Sequence, residues 1–302
     1  MRSKKQESRD MSFYARSLTF KPFTLLLLIM LSFQPTHAQQ LYVASYNIRY
    51  LNPDDSVSGD PWWRRCPVVC GQINFESPDI FGAQEVLYPQ LLDMLEALDG
   101  YNYIGVGRED GKKKGEFAAV FFKTDRLELV DHGHFWLNET PDKPKLGWDA
   151  ACIRICTWGR FKKKGGKDDG REFCFFNLHM DHVGVVARRE AARLVVSKIK
   201  ELAKDSPVVL TGDFNVDQRN EIYQIFTSSG LLKDTYECAR IRFAENGTFN
   251  SFKGERWTDS RIDHIFVSPS FKVEAYATLT NSYWSDRRRL PSDHYPVFVK
   301  LE

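Results

Sequence analysis

Asp213 and Asn215 stand two residues apart at the end of a short apolar run, Pro207-Val208-Val209-Leu210-Thr211-Gly212-Asp213-Phe214-Asn215. Side chains alternate along a strand, so the carboxylate and the amide share one face and Phe214 takes the other. Such a pair can hold a water, a metal ion or a phosphoryl oxygen. It can equally close the strand as an Asx turn. The same design recurs at Asn47, Glu85, Asn177-Leu178-His179, Arg261-Ile262-Asp263-His264 and Ser292-Asp293-His294, and Glu116 opens a further apolar run. Taken singly, these residues have ordinary explanations as turn caps, helix-leading charges, core histidines or surface ion pairs.

Taken together, they describe a site. Several carboxylates, two asparagines and two histidines without cysteine suit a hard divalent cation, Mg²⁺ or Mn²⁺, with Ca²⁺ as an alternative. A histidine beside a carboxylate gains basicity and a fixed orientation, which suits acid–base work near neutral pH. Metal, carboxylates and histidine point to attack of water on a phosphoester. No nucleophilic serine context such as G-x-S-x-G is present.

The elements that must carry these residues are mostly strands. Apolar runs over 41–49, 78–85, 101–106, 116–122, 127–137, 150–158, 172–179, 207–213, 262–268, 271–278 and 295–301 predict strands. Helices are expected over 62–75, 89–98, 186–203 and 220–229, with 52–61 as a polar loop and 162–170 as a basic hairpin loop. The polar strand ends run from Asn47 to His294 and make sense only if they meet. That argues for one α/β domain over 39–302, with two packed sheets and helices outside.

The chain has 302 residues, 42% of them hydrophobic, enough for a sizeable core. Residues 1–38 read as a secretory signal peptide. Arg16 and Lys21 precede the apolar run 23–33, and Thr36-His37-Ala38 offers a small-residue exit. The run is too short for a spanning helix of about 20 residues, so an exported protein, periplasmic or extracellular, is expected. Removing the six basic and two acidic residues of that segment takes 42 basic and 40 acidic to 36 and 38, a net charge of −2. Such a chain lacks the global positive field of proteins that grip nucleic acid nonspecifically. The six cysteines include two C-x3-C pairs, Cys66/Cys70 and Cys152/Cys156, and buried free thiols or a disulfide are favoured over zinc.

The motifs Asn47-Ile48-Arg49, Gln84-Glu85, Gly115-Glu116-Phe117, Asn177-Leu178-His179, Gly212-Asp213-Phe214-Asn215, Arg261-Ile262-Asp263-His264 and Ser292-Asp293-His294-Tyr295-Pro296 resemble, in the same order, the motif series of the endonuclease/exonuclease/phosphatase superfamily. The resemblance spans about residues 41–302 and looks like that of a secreted bacterial subfamily. It implies a deoxyribonuclease I-like fold, a four-layer α/β sandwich with the site at one end of two mixed sheets. It implies Glu85 as the principal metal ligand, with Asn47 beside it and Asp293 on the metal side. Asp213 and Asn215 would hold the attacking water and a phosphoryl oxygen, with Asn177 and Arg154 as further phosphate contacts. His294 oriented by Asp263 and His179 paired with Glu116 would be the acid–base pairs, with neither role assigned.

Deoxyribonuclease-like Glu116, His179 and Arg154 favour a diesterase; a phosphomonoesterase remains the alternative. The Cys-Asp-Arg signature of inositol-polyphosphate 5-phosphatases is missing, since Asp259-Ser260-Arg261 stands there. The substrate is thus a nucleic acid, phospholipid or sugar phosphate, with no obligate protein partner and a monomer expected. Trp62, Trp63, Trp136 and Trp148 are candidates for stacking on a base or sugar, and Arg287-Arg288-Arg289 for gripping a phosphate tail. A non-catalytic module on the same fold would have lost a histidine or carboxylate of the series, and none is lost.

Overall fold

A computed structural model describes residues 40–165, 169–243, 245–255 and 257–302. The expected signal segment lies outside the described residues, as does part of the 162–170 loop.

The first sheet is built on β1 (Leu41–Asn47), which pairs in parallel with β2 (Ile80–Val86) and antiparallel with β15 (Val297–Leu301). It extends through β4 (Phe117–Lys123) to β3 (Tyr101–Ile104) on one side, and through β12 (Val273–Thr278) to β10 (Ile241–Phe243) on the other. The second sheet has the order β5 (Leu127–Trp136), β6 (Ile155–Lys163), β7 (Glu172–His179), β8 (Val208–Asp213), β11 (Asp263–Val267) and β9 (Lys233–Asp234). The β7–β8 pair is parallel and the rest of this sheet antiparallel. Both sheets are therefore mixed.

Alternation along the strands sorts the core into layers. Val43, Ile80, Val120, Phe173, Phe175, Val209, Ile265 and Val299 fill the space between the sheets. On the outer face of the first sheet, Tyr46, Phe81, Ala83 and Phe121 pack against α2 (Trp62–Glu76) and α3 (Tyr88–Ala97). On the outer face of the second, Phe176, Leu210 and Phe266 pack against α4 (Val185–Ala203) and α5 (Glu221–Thr227). Helix, sheet, sheet, helix is the four-layer sandwich expected.

Two elements depart from the sequence reading, and the cysteines follow one of its two expectations. The 52–61 segment contains α1 (Pro53–Ser58), capped by the Asn52 side chain, with proline in its first turn and Gly59 in the left-handed region at its end. The strand expected at 150–158 starts later, at Ile155. Both oxygens of Asp181 hold a turn there, accepting backbone N–H groups of Ala151 and Cys152 on one side and of Val183 and Gly184 on the other. Those four bonds outweigh the effect of burial and take Asp181 down to about 2. Finally, all six cysteines are free thiols. Cys156 is fully buried while Cys152 is not, and Cys66 and Cys70 lie 3.9 Å apart on one turn of α2.

Candidate active site

The site residues gather because strand direction puts them on one edge. β1, β2, β7 and β8 end there, while β4, β6, β11 and β15 run the other way and begin there. Asn47, His179 and Asp213 close their strands, Asp263 opens β11, and Glu116, Arg154 and His294 immediately precede or approach β4, β6 and β15. Asp213 and Asp263 are register partners across β8 and β11, so two inward carboxylates face each other.

Glu85 reaches this edge by a different device. Phe81 and Ala83 point to the helices, and alternation would send Glu85 with them. The β2–β4 register shifts between Ala83 and Val86, and Glu85 takes φ 63°, in the left-handed region that favours glycine. The bulge re-aims its carboxylate into the cleft. Asn215 uses the same backbone region, φ 51°, and its N–H donates to Asp213 Oδ1 at 2.9 Å. Asp213 and Asn215 are thus both an Asx turn and part of the cleft wall.

The centre of the site is a carboxylate cluster around one imidazole. His294 Nδ1 lies 2.8 Å from Asp263 Oδ2, and its Nε2 lies 3.7 Å from Asp213 Oδ2. Asn47 Nδ2 donates to Glu85 Oε1 and to Asp213 Oδ2, each at 3.0 Å. Burial first, then the Asp263 charge, push Asp213 up to about 7. Burial disfavours the charged form of His294, but Asp263 and Asp213 outweigh it and hold the imidazole well above its ordinary value. His294 is therefore an imidazolium at neutral pH, fixed by Asp263 and facing Asp213. It can donate a proton or a charge-assisted hydrogen bond to a phosphoester oxygen, while Asp213 can accept a proton from water.

These donors fit a divalent cation. Carboxylate oxygens of Glu85 and Asp213 lie within 4.8 Å of each other and of a ring nitrogen of His294, but the imidazolium is no ligand, so the two carboxylates are the anionic ligands. The Asn47 amide turns its nitrogen toward the two carboxylates, and its Oδ1 accepts the Arg49 N–H. The amide donor thus occupies the neutralising place between two anions. Asp293 lines the same cleft, 3.5 Å from Arg49 Nη1, and burial raises its carboxyl. A bound cation would supply charge neutralisation for the phosphoryl oxygens.

The second histidine is arranged differently from expectation. His179 Nε2 accepts from Asn215 Nδ2 at 3.2 Å, which leaves the proton on Nδ1. That Nδ1 is 3.9 Å from Glu116, too far for a hydrogen bond, and Glu116 is instead held by Arg108 at 2.7 Å. Burial, then Arg154 and Arg108, hold His179 well below the usual histidine range, so it is neutral. Arg154, 5% exposed, lines the cleft. Its Nη2 donates to His182 Nδ1 at 3.0 Å, while Nη1 has no protein partner. A buried guanidinium with a free N–H edge is a ready phosphate contact.

Asn177 does not join the cleft. It points inward one step deeper than His179 and is fully buried. Its Nδ2 donates to the carbonyls of Ala83 and Ala119 in the other sheet, and its Oδ1 accepts from Gln84 Nε2 and Thr211 Oγ1. Every hydrogen-bonding position is engaged, so Asn177 ties the sheets together and has nothing left for a phosphate. Gly82 makes the room, because a Cβ there would collide with Asn177 and Thr211.

Trp62 and Trp136 are buried, their indole N–H groups bound to Asp93 and to the Arg108 carbonyl, and none of the four tryptophans named above lines the cleft. Residues the sequence reading passed over include Arg108, His182 and Arg65. Arg65 is fully buried and donates to the carbonyls of Ile48, Arg49, Asp60 and Pro291, fastening the segments that carry Asn47 and Asp293. Its place in the run Trp62-Trp63-Arg64-Arg65 offers no signal of this. The site occupies a cleft of about 610 Å³.

Two mixed sheets with this carboxylate–histidine edge define a phosphoester hydrolase. The family model described as Endonuclease/Exonuclease/phosphatase family matches residues 44–294, and the chain belongs to that family. The structure is similar to that of a mannosyl-6-phosphatase from Bacteroides thetaiotaomicron, with 55% identity and a TM-score of 0.84, covering 87% of this chain and 99% of that one. It is also similar to a family member from Bacteroides vulgatus, 39% identical with a TM-score of 0.80, covering 88% and 99%. Human tyrosyl-DNA phosphodiesterase 2 is 22% identical over 78% of this chain and 62% of its own length.

Proposed function

We propose that this protein is an exported, divalent-metal-dependent phosphomonoesterase that removes phosphate from a sugar. The observation that carries the reading is the 55% identity to a mannosyl-6-phosphatase over 99% of that chain. Geometry supports it. Of the three residues that favoured a diesterase, Glu116, His179 and Arg154, the first two do not pair: they stand 3.9 Å apart and Glu116 serves Arg108, while Arg154 lines the cleft and suits either ester. In this reading Glu85 and Asp213 hold Mg²⁺ or Mn²⁺, the Asn47 amide steadies both carboxylates as a donor, and Arg154 and Asn215 orient the phosphoryl group. Asp213 accepts the proton of the attacking water, and His294 assists departure of the sugar oxygen.

The test is purified 39–302 assayed for phosphate release from mannose 6-phosphate, p-nitrophenol release from bis-p-nitrophenyl phosphate and shortening of single-stranded DNA, with Mg²⁺ or with EDTA. Metal-dependent turnover of mannose 6-phosphate well above the two diesters is expected. Faster diester cleavage, or turnover unaffected by EDTA, refutes the reading. Export is tested by whether the amino terminus of the mature protein begins near Gln39.

A further inference from the structure

A second cleft, of about 560 Å³, is lined by Phe252, Lys253, Arg287, Arg288 and Arg289 with Asp60 and Glu255. Two backbone segments connect the clefts. Phe249 bridges to His294, Asn250 and Ser251 donate their N–H groups to the Asp293 carbonyl, and the Asn250 side chain donates to the Ser292 carbonyl. Phe249 and His294 line the catalytic cleft, and residues three to six positions beyond Phe249 and four to seven before His294 line the second, so the same two segments wall both clefts.

Only one of the four cations lining the second cleft has a carboxylate partner among the described residues. Arg289 is buried and bound to Asp60 at 2.8 Å and to Asp286 at 2.7 Å, which clamps the hairpin β13 (Tyr283–Trp284)–β14 (Arg288–Arg289) onto the body. Lys253, Arg287 and Arg288 have no carboxylate partner among the described residues; Arg287 and Arg288 meet only the Ser58 carbonyl and the Ser282 hydroxyl. Three such cations against the one carboxylate of Glu255 leave the rim net positive, and an anion is attracted to it.

Their placement is also held against backbone preference. Ser251 and Phe252 take φ 55° and 56°, two consecutive non-glycine residues in the left-handed region that L side chains disfavour. That turn sets Phe252 over Arg65 and presents Lys253 to the cleft. Directly across the hairpin from Arg288 stands Trp284, 80% exposed, a flat face beside the cationic rim.

Resting on the sugar-phosphatase reading, we infer that this second cleft is a subsite for another phosphate of the same substrate, an oligosaccharide phosphorylated at more than one position. Lys253, Arg287 and Arg288 hold the distal phosphate and Trp284 stacks on the sugar beside it. The slightly acidic mature chain favours a phosphoglycan over a polynucleotide.

The experiment compares the wild type with Arg287→Ala/Arg288→Ala and with Lys253→Glu. The probes are mannose 6-phosphate, a mannooligosaccharide carrying one phosphate and the same oligosaccharide carrying two. KM for the doubly phosphorylated probe is expected to rise about tenfold in the variants, with kcat retained and mannose 6-phosphate kinetics within twofold of wild type. Equal effects on all three probes, or none on the doubly phosphorylated one, overturn the subsite. Should the wild type turn over none of them, the sugar-phosphatase reading fails. Calorimetric binding of the two oligosaccharides then still decides the subsite: tighter binding of the doubly phosphorylated one, lost in the variants, supports it, and equal affinities overturn it. A single-stranded oligodeoxynucleotide bound more tightly than either, through the same arginines, overturns the assignment to a phosphoglycan.

Discussion

Replacing Asp213 by asparagine is expected to stabilise the metal-free protein while disabling it. Asp213 is 1% exposed and faces Asp263 across the β8–β11 ladder, with Glu85 joined to it through Asn47. Its carboxyl rises from 3.8 to about 7, through burial first and Asp263 second. Between those values the native protein holds a proton that the unfolded chain releases. The stability this group contributes is thus complete below pH 3.8 and is lost as pH climbs through about 7. At about 1.4 kcal/mol per pH unit that interval sets a ceiling of about 4 kcal/mol.

An amide at 213 keeps one acceptor for Asn47 Nδ2 or for the Asn215 N–H and turns its own N–H₂ on the other, a loss of about 1–2 kcal/mol. The net gain is about 2 kcal/mol, or about 4–8 °C in Tm for a domain of this size. Thermal unfolding of wild type and Asp213→Asn in EDTA, at pH 8 and pH 5, measures it. The variant should melt higher at pH 8 and the gap should shrink by more than half at pH 5. Mg²⁺ should raise the wild-type Tm and leave the variant almost unmoved, and turnover should fall at least ~10²-fold. A variant that melts at or below the wild type at pH 8 in EDTA refutes the electrostatic account of the cluster.

Two further substitutions separate roles. Asp263→Asn removes the largest attraction holding His294 above its ordinary value, so the alkaline limb of the pH–kcat profile should move to lower pH; an unmoved limb means that His294 is not the acid. Asn177→Ala leaves Gln84, Thr211 and two carbonyls without their partner and is expected to cost about 2–4 kcal/mol in urea unfolding with KM unchanged, whereas a raised KM at unaltered stability would restore Asn177 as a phosphate contact.

What the sequence made legible was set by local chemistry. Apolar runs terminated by Asn, Asp or His announce strands whose polar ends must meet, and Asn47, Asp213, Asp263 and His294 meet as expected. The sandwich follows from the same runs, since two sets of alternating strands with amphipathic helices between them can bury their faces in few ways. Features created by one strand acting on another were not legible. Glu85 has the wrong parity for the cleft, and only the shifted β2–β4 register corrects it. Asn177 has the same parity as His179, but the interrupted ladder exposes the Ala83 and Ala119 carbonyls beneath the site and claims its amide. Ala150–Arg154 reads as strand by composition, yet Asp181, some thirty residues away, draws its backbone into a turn.

The mismatch between sequence pairing and spatial pairing also explains why the two histidines part company. Both sit beside a carboxylate in the motif series, and the sequence treats them alike. In space, Asp263 has no competing cation among the described residues and closes on His294 at 2.8 Å, whereas Glu116 is taken by Arg108 and His179 is left beside Arg154 and Arg108. Burial acts on both rings in the same direction, so the sign of the surrounding charge decides the outcome. A charged His294 can give a proton to a departing oxygen. A neutral His179, its Nε2 already accepting from Asn215, steadies the residue that faces the phosphoryl group. In the proposed reaction the acid role falls to His294 because of where Arg108 and Arg154 lie, and neither arginine is near Glu116 or His179 in a way that the chain order would reveal.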